Sequence, residues 1–296
     1  MFESLQELVN IADENGQCLA DVVITAEMNG SGLGRDEIRA KMAKRLAVMQ
    51  QSAQQGLDQP IRSLSGISGG NAHKFWRWLA GNKPVTGSVM SRAVARAMAV
   101  NEVNAGMGCI VATPTAGSAG ILPATLITLQ EEYGFSDDEI VDALFVASGI
   151  GMVVVNRANV SGAMGGCQAE TGSAAAMAAG ASVALLGGSP TQSIHAAGMT
   201  LKNMLGLVCD PVAGLVEVPC VKRNAAGVAQ CFVAIDLAMA GVESVIPPDE
   251  VIDAMAHIGK MMHKDLKETG IGGLAGTPTG RRLAKLVWEG SAENRN

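Results

Sequence analysis

The chain has 296 residues, a formal net charge of −6, 48% hydrophobic residues and only 3% aromatic residues. Proteins that bind nucleic acid or anionic membranes usually carry positive charge, whereas this chain is negative and has no block of Lys or Arg. The sequence therefore favours chemistry on small molecules. With 36 Gly and 16 Met in a composition rich in Ala, Val, Leu and Ile, the sequence predicts helices that pack closely through small residues.

The N-terminus and the cysteine content predict a cytoplasmic protein. The first ten residues contain Glu3 and Glu7 and lack the apolar core of a signal peptide. Six cysteines in a long chain without a secretory signal are expected to be reduced and free to bind metal.

Apolar residues that recur every three or four positions predict helices along most of the chain. The predicted helices cover residues 1–15, 36–55, 87–105, 136–152, 168–186, a segment after Pro190, 224–240 and 247–267. No alternating pattern, repeat or long linker separates them, although the short apolar run 152–155 is also compatible with a strand. We therefore predict an all-α fold in which residues 1–296 form a single helical domain.

An uncharged stretch runs through residues 171–201 and is long enough to cross a membrane. It consists mostly of Ala, Gly, Ser and Thr, and Gly187 to Pro190 interrupt it. Because it holds few of the large aliphatic residues that favour insertion, we interpret it as two buried helices.

A polar loop is predicted at residues 61–74, with the sequence IRSLSGISGGNAHK. It brings the hydroxyls of Ser65 and Ser68, the amide of Asn71 and the imidazole of His73 into one short segment. These side chains suit substrate binding, and they are equally typical of a polar helix cap.

A second Gly-rich loop, residues 106–123, precedes a predicted helix and contains Thr113, Thr115, Gly117 and Ser118. Backbone N–H groups and hydroxyls at the start of a helix bind carboxylates and phosphates. An ordinary Gly-rich helix start gives the same pattern, so both interpretations stay open. A third loop of this kind, GIGGLAGTPTG, covers residues 270–280.

Three cysteines lie in contexts that favour metal ligation. Cys167, Cys209 and Cys220 are each within two residues of Gly or Pro, where a loop or a helix end exposes a side chain. Thiolates suit zinc, copper(I) and iron–sulfur clusters. The spacing alone leaves three unrelated buried thiols as an equal alternative, because there is no CxxC pair and structural zinc usually has four ligands.

Four motifs, in the order SGGNAHK, PTAGSAG, GGCQAE and CDPVAGLVEVPC, resemble the α chain of the iron–sulfur-dependent L-serine dehydratases, and the likeness covers essentially the whole chain. The resemblance implies dehydration and deamination of L-serine to pyruvate and ammonia. It also implies a [4Fe–4S] cluster on Cys167, Cys209 and Cys220, with one iron open to the substrate hydroxyl. Cys18, Cys109 and Cys231 are left as thiols, although either of the last two could serve as a fourth ligand.

The resemblance also makes SGGNAHK an active-site segment but assigns no role to His73. Among the histidines of this chain, His73 is the best candidate for the general base, because it shares a polar loop with Ser65 and Asn71. The expected substrate-binding residues lie in the first two loops: Ser65, Ser68, Asn71, Thr113, Thr115, Gly117 and Ser118.

Three features resemble the two-chain form of the enzyme, so a β chain is the expected partner. The chain starts where the second region of single-chain relatives begins, its tail SAENRN has no cysteine, and Ala116 stands where they usually have Asn.

Two other classes of protein stay open. A pyridoxal-phosphate lyase is suggested by the likeness of SGGNAHK to the Ser-Gly-Asn loop of those enzymes, but Lys41 and Lys44 lie on a charged helix, which is a poor context for a Schiff base. The second alternative is a non-catalytic iron–sulfur carrier.

Overall fold

The computed structural model describes the backbone of residues 2–293 and the side chains of residues 2–289. Within these residues the fold consists of helices and loops without a strand, which confirms the all-α prediction. The tail SAENRN, noted above for its lack of cysteine, has its last three residues outside the described range. That residues 1–296 act as one catalytic domain stays a prediction.

The helices, numbered along the chain, are α1 Leu5–Asn15, α2 Leu19–Ser31, α3 Arg35–Asp58, α4 Asn71–Leu79, α5 Ser88–Ala105, α6 Ile121–Tyr133, α7 Asp137–Arg157, α8 Gly162–Gly165, α9 Ser173–Leu185, α10 Pro190–Lys202, α11 Cys220–Met239, α12 Pro248–Met261 and α13 Pro278–Glu293. Short 3₁₀ turns occur at Ala116–Ser118, Val212–Gly214 and Lys264–Leu266, and a π-helical turn at Gln168–Gly172 leads into α9.

Helix α9 lies at the centre of the core, and its small side chains allow the neighbouring helices to pack closely against it. Residues 173–183 are all buried, and α6, α7, α10 and α11 pack around them. A Cβ on Gly180 would lie 2.4 Å from Ile150 Cδ1 and 2.9 Å from the Ser193 carbonyl oxygen, so only Gly allows α7 and α10 to approach this closely. The run 171–201 thus forms two buried helical segments, as predicted.

No helix in the described part of the chain has the length and hydropathy needed to cross a membrane.

Several helix boundaries differ from the prediction for tertiary reasons. Helix α4 begins at Asn71, inside the predicted loop, because the buried Glu102 carboxylate accepts hydrogen bonds from the Asn71 and Ala72 N–H groups and caps the helix from α5. His73 therefore lies on a helix. Helix α11 begins at Cys220 instead of residue 224, directly after Pro219, which can precede a helix without losing a hydrogen bond.

The predicted helix 247–267 ends early, at Met261. The segment after it forms a parallel bridge with the second cysteine: the Cys209 N–H donates to the Leu266 carbonyl oxygen (2.8 Å), and the Glu268 N–H donates to the Cys209 carbonyl oxygen (2.7 Å). His263, predicted on the helix, instead caps the 3₁₀ turn that starts this segment. The predicted strand alternative at 152–155 is wrong, because these residues belong to α7.

Candidate metal and substrate site

The three cysteines singled out in the sequence come from different elements and share one site. Cys167 precedes the π-helical turn, Cys209 lies in the loop after α10, and Cys220 is the first residue of α11. The Cys209 thiol donates a hydrogen bond to the Cys167 sulfur, and the charge on Cys167 acts on Cys220. Cys167 and Cys209 are buried and Cys220 is half-buried. A hydroxyl also contacts the group, since Thr171 Oγ1 lies 2.9 Å from Cys167 Sγ.

These contacts give the three thiols different pKa values. The hydrogen bond from Cys209 lowers the pKa of Cys167 to about 7, against the effect of burial, and Thr171 also lowers it. The same bond, together with burial, raises the pKa of Cys209 well above its usual range. Burial raises the pKa of Cys220 to about 12. Without metal, Cys167 is therefore the thiol that ionises most readily, and because Cys209 and Cys220 hold their protons at neutral pH, metal binding must release protons.

Arg223 provides positive charge beside the thiols. Its Nη2 lies 2.8 Å from Asp210 Oδ1, and its Nη1 donates to the Val208 carbonyl oxygen at 2.7 Å. Burial lowers the pKa of Arg223, but the charges of Cys167 and Asp210 outweigh it and raise the pKa, so the guanidinium is firmly cationic.

Asp210 connects the third Gly-rich loop to the site. Its Oδ2 accepts a hydrogen bond from the Leu274 N–H at 2.7 Å. Gly273 packs against the same carboxylate with a φ of +57°, and a Cβ at this position would lie 2.2 Å from Asp210 Oδ2. The loop at 270–276 thus approaches the cysteines through backbone contacts that only a Gly-rich segment permits.

Two carboxylates border the Cys209 thiol. The nearest oxygens of Glu170 and Glu268 and the Cys209 sulfur all lie within 4.8 Å of one another. Glu170 Oε2 lies 3.8 Å from Cys209 Sγ. Burial raises the pKa of Glu170, and the nearby charge of Glu268 adds to this effect.

The Thr113–Ser118 loop reaches the same site through Glu170. Thr115 Oγ1 donates to Glu170 Oε1 at 2.8 Å. The Ser118 hydroxyl is fully buried and donates to the Thr113 carbonyl oxygen at 3.1 Å, so it holds the loop in shape. Gly117 packs against the Glu170 carboxylate, and a Cβ at this position would lie 3.2 Å from Glu170 Oε1.

Asn224 of α11 joins this loop to the third cysteine. Its Nδ2 donates to the carbonyl oxygens of Gly117 (2.8 Å) and Cys220 (3.0 Å). Its Oδ1 accepts from the Gly120 N–H (3.0 Å). The loop and the cysteine therefore keep a fixed relative position.

Residues of the SGGNAHK segment divide into two groups. Ser65 and Ser68 both donate to the Glu217 carboxylate, each at 2.7 Å, and Glu217 lies in the chain between Cys209 and Cys220. Asn71 instead donates its side-chain amide to Glu102 Oε1 at 2.8 Å. His73 Nδ1 lies 2.7 Å from the Leu57 carbonyl oxygen at the end of α3.

The structure thus brings Ser65 and Ser68 to the cysteine loop through Glu217. Asn71 and His73 contact α5 and α3, and no hydrogen bond between described residues joins either of them to the thiols.

Sequence reasoning missed five residues of the site: Glu170, Glu217, Arg223, Asn224 and Glu268. Glu170 and Glu217 were visible inside the quoted motifs GGCQAE and CDPVAGLVEVPC, where a carboxylate close to a cysteine is a signal. Arg223 and Asn224 follow Cys220 by three and four residues, which places them within one helical turn of it once the start of α11 is known. Nothing in the sequence connects Glu268 with Cys209.

The donor set fits an iron–sulfur group. It combines three soft sulfur donors with the Arg223 cation, and soft thiolates select such clusters. Gly162 borders the site without a side chain, because a Cβ there would lie 2.8 Å from Cys209 Sγ and 2.5 Å from Glu170 Oε2.

The other cysteines lie elsewhere. Cys18 and Cys109 are exposed. Cys231 is buried in the core, with its thiol against the carbonyl oxygens of Gly227 (3.1 Å) and Ala175 (3.3 Å). The alternative that Cys109 or Cys231 serves as a fourth ligand finds no support in these positions.

Comparison with known proteins gives the family of the chain. Residues 14–275 match the family described as "Serine dehydratase alpha chain". The chain is 49% identical over 295 residues to the "Probable L-serine dehydratase, alpha chain" of Bacillus subtilis, covering 100% of this chain and 98% of that one. It is 44% identical over 285 residues to the "L-serine dehydratase, alpha chain" of Peptoniphilus asaccharolyticus, covering 96% and 98%. It is also 37% identical over 277 residues to the "L-serine dehydratase" of Streptomyces coelicolor, covering 93% of this chain and 60% of the longer relative. The chain therefore belongs to the serine dehydratase alpha chain family.

Proposed function

We propose that this chain is the α chain of an iron–sulfur-dependent L-serine dehydratase of the cytoplasm, a lyase that converts L-serine to pyruvate and ammonia. The observation that carries the proposal is the convergence of Cys167, Cys209 and Cys220 with the Arg223 cation beside the loop at Thr115. The names of the full-length relatives support the same reaction.

Dehydration of serine requires removal of the α-proton and departure of hydroxide from the β-carbon. A [4Fe–4S] cluster held by the three cysteines would supply a Lewis-acidic iron, the one without a thiolate, for the departing hydroxyl. The enamine product would then tautomerise and hydrolyse to pyruvate and ammonia without further help from the protein.

The substrate carboxylate is assigned to the start of the 3₁₀ turn at Ala116–Ser118. The first N–H groups of such a turn have no acceptor within it, so they are available to an anion. Thr115 and Gly117 would border the carboxylate, whereas Thr113 and Ser118 are buried and keep the loop in its conformation.

The substrate ammonium is assigned to Ser65 and Ser68. Both hydroxyls donate their protons to Glu217, and Ser65 Oγ also accepts from the Ile67 N–H at 3.2 Å, so Ser68 Oγ and one lone pair of Ser65 Oγ are left as acceptors beside a carboxylate. Glu217 is only 5% exposed, which places its charge behind the two hydroxyls and lets it orient them. An ammonium suits this arrangement better than a carboxylate does.

The proton acceptor at the α-carbon is either His73 or a residue of the β chain. A general base must come within hydrogen-bond reach of the α-proton. In this structure the His73 Nδ1 atom contacts the Leu57 carbonyl oxygen, and Nε2 has no hydrogen bond to a described residue. We therefore propose that a β chain, which the α-chain names of the relatives imply, completes the site.

The experiment that tests the proposed function replaces Cys167, Cys209 and Cys220 one at a time by Ser in protein purified without oxygen. Because an alcohol is a poor ligand for iron in a cluster, each variant should lose bound iron, acid-labile sulfide and L-serine dehydratase activity together. Cys109→Ser is the matched control, since that thiol is exposed and should be dispensable.

Three other results would contradict the proposal. Full iron and sulfide content in all three variants would show that these cysteines do not bind the cluster. A cluster without dehydratase activity in the presence of the β chain would indicate a carrier. The absorption of an internal aldimine instead of a cluster would indicate a pyridoxal-phosphate enzyme.

A further inference from the structure

Glu268 has an unusual position among the acidic residues of this chain. Its carboxylate lies with the Cys209 sulfur and a Glu170 oxygen in one group whose atoms are within 4.8 Å of each other. Within residues 2–289, where side chains are described, this is the one group of three or more acidic, His or Cys side chains whose ligand atoms all lie within 4.8 Å of one another, the spacing that a single metal ion requires.

The backbone holds Glu268 in this position. Its N–H donates to the carbonyl oxygen of Cys209 at 2.7 Å, and the Cys209 N–H donates back to Leu266 at 2.8 Å. Glu268 also has a φ of +61°, a left-handed conformation that few residues other than Gly adopt. Two hydrogen bonds and a strained residue thus keep the Glu268 side chain beside a cysteine that the donor set assigns to the cluster.

The two carboxylates of the group differ in what they already bind. Glu170 is committed through Oε1 to the Thr115 hydroxyl (2.8 Å), and its Oε2 lies 3.8 Å from the Cys209 sulfur. The Glu268 carboxylate has no hydrogen bond or ion pair with any described residue, although it lies beside the Glu170 carboxylate and the Cys209 sulfur. An anion without a partner in such a place has room to bind a cation.

We propose that the Glu268 carboxylate is the fourth protein ligand of the cluster, which occupies the iron without a thiolate until L-serine displaces it. This inference rests on the proposed function and adds to it a residue that no motif of the sequence contains.

The chemistry of the ligand explains why a carboxylate suits this position. A thiolate binds iron–sulfur clusters strongly, whereas a carboxylate is a hard ligand that binds this soft centre less firmly. A carboxylate therefore protects the iron from oxidants and still exchanges with a substrate. Cys109 and Cys231 do not compete for the position, because one is exposed and the other is buried in the core.

The test compares Glu268→Gln and Glu268→Cys with wild type, each reconstituted without oxygen and assayed with the β chain. Two quantities report on the iron itself. The first is the rate at which the cluster absorption is lost in air. The second is the hyperfine coupling to oxygen-17-labelled water in pulsed electron–nuclear double-resonance spectra of the reduced cluster. Glu243→Gln is the matched control, since Glu243 is an exposed carboxylate in the loop after α11 and is not part of the site.

We expect Glu268→Gln to lose its cluster at least about tenfold faster than wild type, in line with the effect of removing a group that supports a metal site. Water coupling should appear in this variant and be absent from wild type. Glu268→Cys should lose its cluster more slowly than wild type and should need more L-serine for half-maximal rate, because a thiolate is harder to displace. Glu243→Gln should match wild type in all respects.

The inference is overturned if wild type already shows water on the iron, or if Glu268→Gln matches wild type in both quantities. If Glu268→Gln assembles no cluster at all, Glu268→Cys decides: a cluster that resists air supports the inference, and one lost at the wild-type rate overturns it. A wild-type protein that takes up no iron would overturn the proposed function and this inference together, whereas an active wild type with unchanged variants would overturn the inference alone.

Discussion

At the scale of single residues, the site is dominated by acidic groups held close together. Cys167, Glu170 and Glu268 carry or could carry negative charge, and Arg223 is the cation that acts on Cys167. Such a cluster is costly for the metal-free protein, because burial and repulsion disfavour the charged forms. A bound metal removes this cost, so metal binding and stability are expected to be linked.

Glu170 allows this cost to be measured. Burial raises its pKa above the ordinary value of 4.5, so its favourable contribution to folding is complete below pH 4.5 and is lost as the pH rises through the raised pKa. Glu170→Gln, which stays neutral, should therefore increase the free energy of unfolding of the metal-free chain at pH 8, with little effect at pH 4.5. Urea unfolding at the two pH values measures the difference. Glu243→Gln should show no such pH dependence, and an equal effect of Glu170→Gln at both pH values would contradict the prediction.

At the scale of elements, the first turn of α11 organises the site. It carries Cys220, Arg223 and Asn224, which contribute a thiol, a cation and a bridging amide. Asn224 fixes the Gly117–Gly120 segment against α11, while Gly120 packs so closely on α5 that a Cβ would lie 2.2 Å from the Ala97 carbonyl oxygen. The loop assigned to the substrate carboxylate is thus held between two helices.

Asn224→Ala should disturb this loop. The change removes three hydrogen bonds and leaves the buried Gly120 N–H without its acceptor, while the Gly117 carbonyl oxygen keeps the bond from Asn101 Nδ2, so the chain should be destabilised by about 1–3 kcal/mol. It should also raise KM for L-serine more than it lowers iron content, because the cysteine ligands remain. Asn156→Ala is a suitable control, since it removes a single hydrogen bond, to the Phe2 carbonyl oxygen, away from the site. An unchanged KM in Asn224→Ala would show that this loop does not take part in substrate binding.

At the scale of the whole molecule, the described helices place the three Gly-rich loops near the cysteines, whereas His73, His195 and His263 make their hydrogen bonds elsewhere. His195 accepts a hydrogen bond from the Ser244 N–H (3.0 Å), and His263 caps a 3₁₀ turn. His73 contacts Leu57. A partner that supplies the base accounts for this arrangement more simply than a rearrangement of α4 does.

The reconstituted chain alone should therefore have little activity, and addition of the β chain should restore it. The measurement is pyruvate release from L-serine with and without the β chain, for wild type and His73→Ala. If His73 is structural, His73→Ala should keep its activity in the presence of the β chain. Full turnover by the lone wild-type chain would contradict the partner requirement, and its loss in His73→Ala with an intact cluster would identify His73 as the base.

The sequence by itself determined the helical class and the position of most helices. Periodic apolar residues and small side chains encode these features locally, as in α5 and α9. It also pointed to the three cysteines and the Gly-rich loops, because Gly, Pro and Cys are informative in their immediate context. The family likeness, carried by four motifs in order, was equally readable from the sequence.

Only the tertiary structure decided which groups face one another. Helix α4 begins at Asn71 because a carboxylate 31 residues away caps it, and the helix before Glu268 ends early because the following segment bridges to Cys209. Ser65 acts with Glu217 across 152 positions of the chain. No local pattern reports such contacts, because the energy that fixes them comes from hydrogen bonds and burial between segments that are adjacent only after folding.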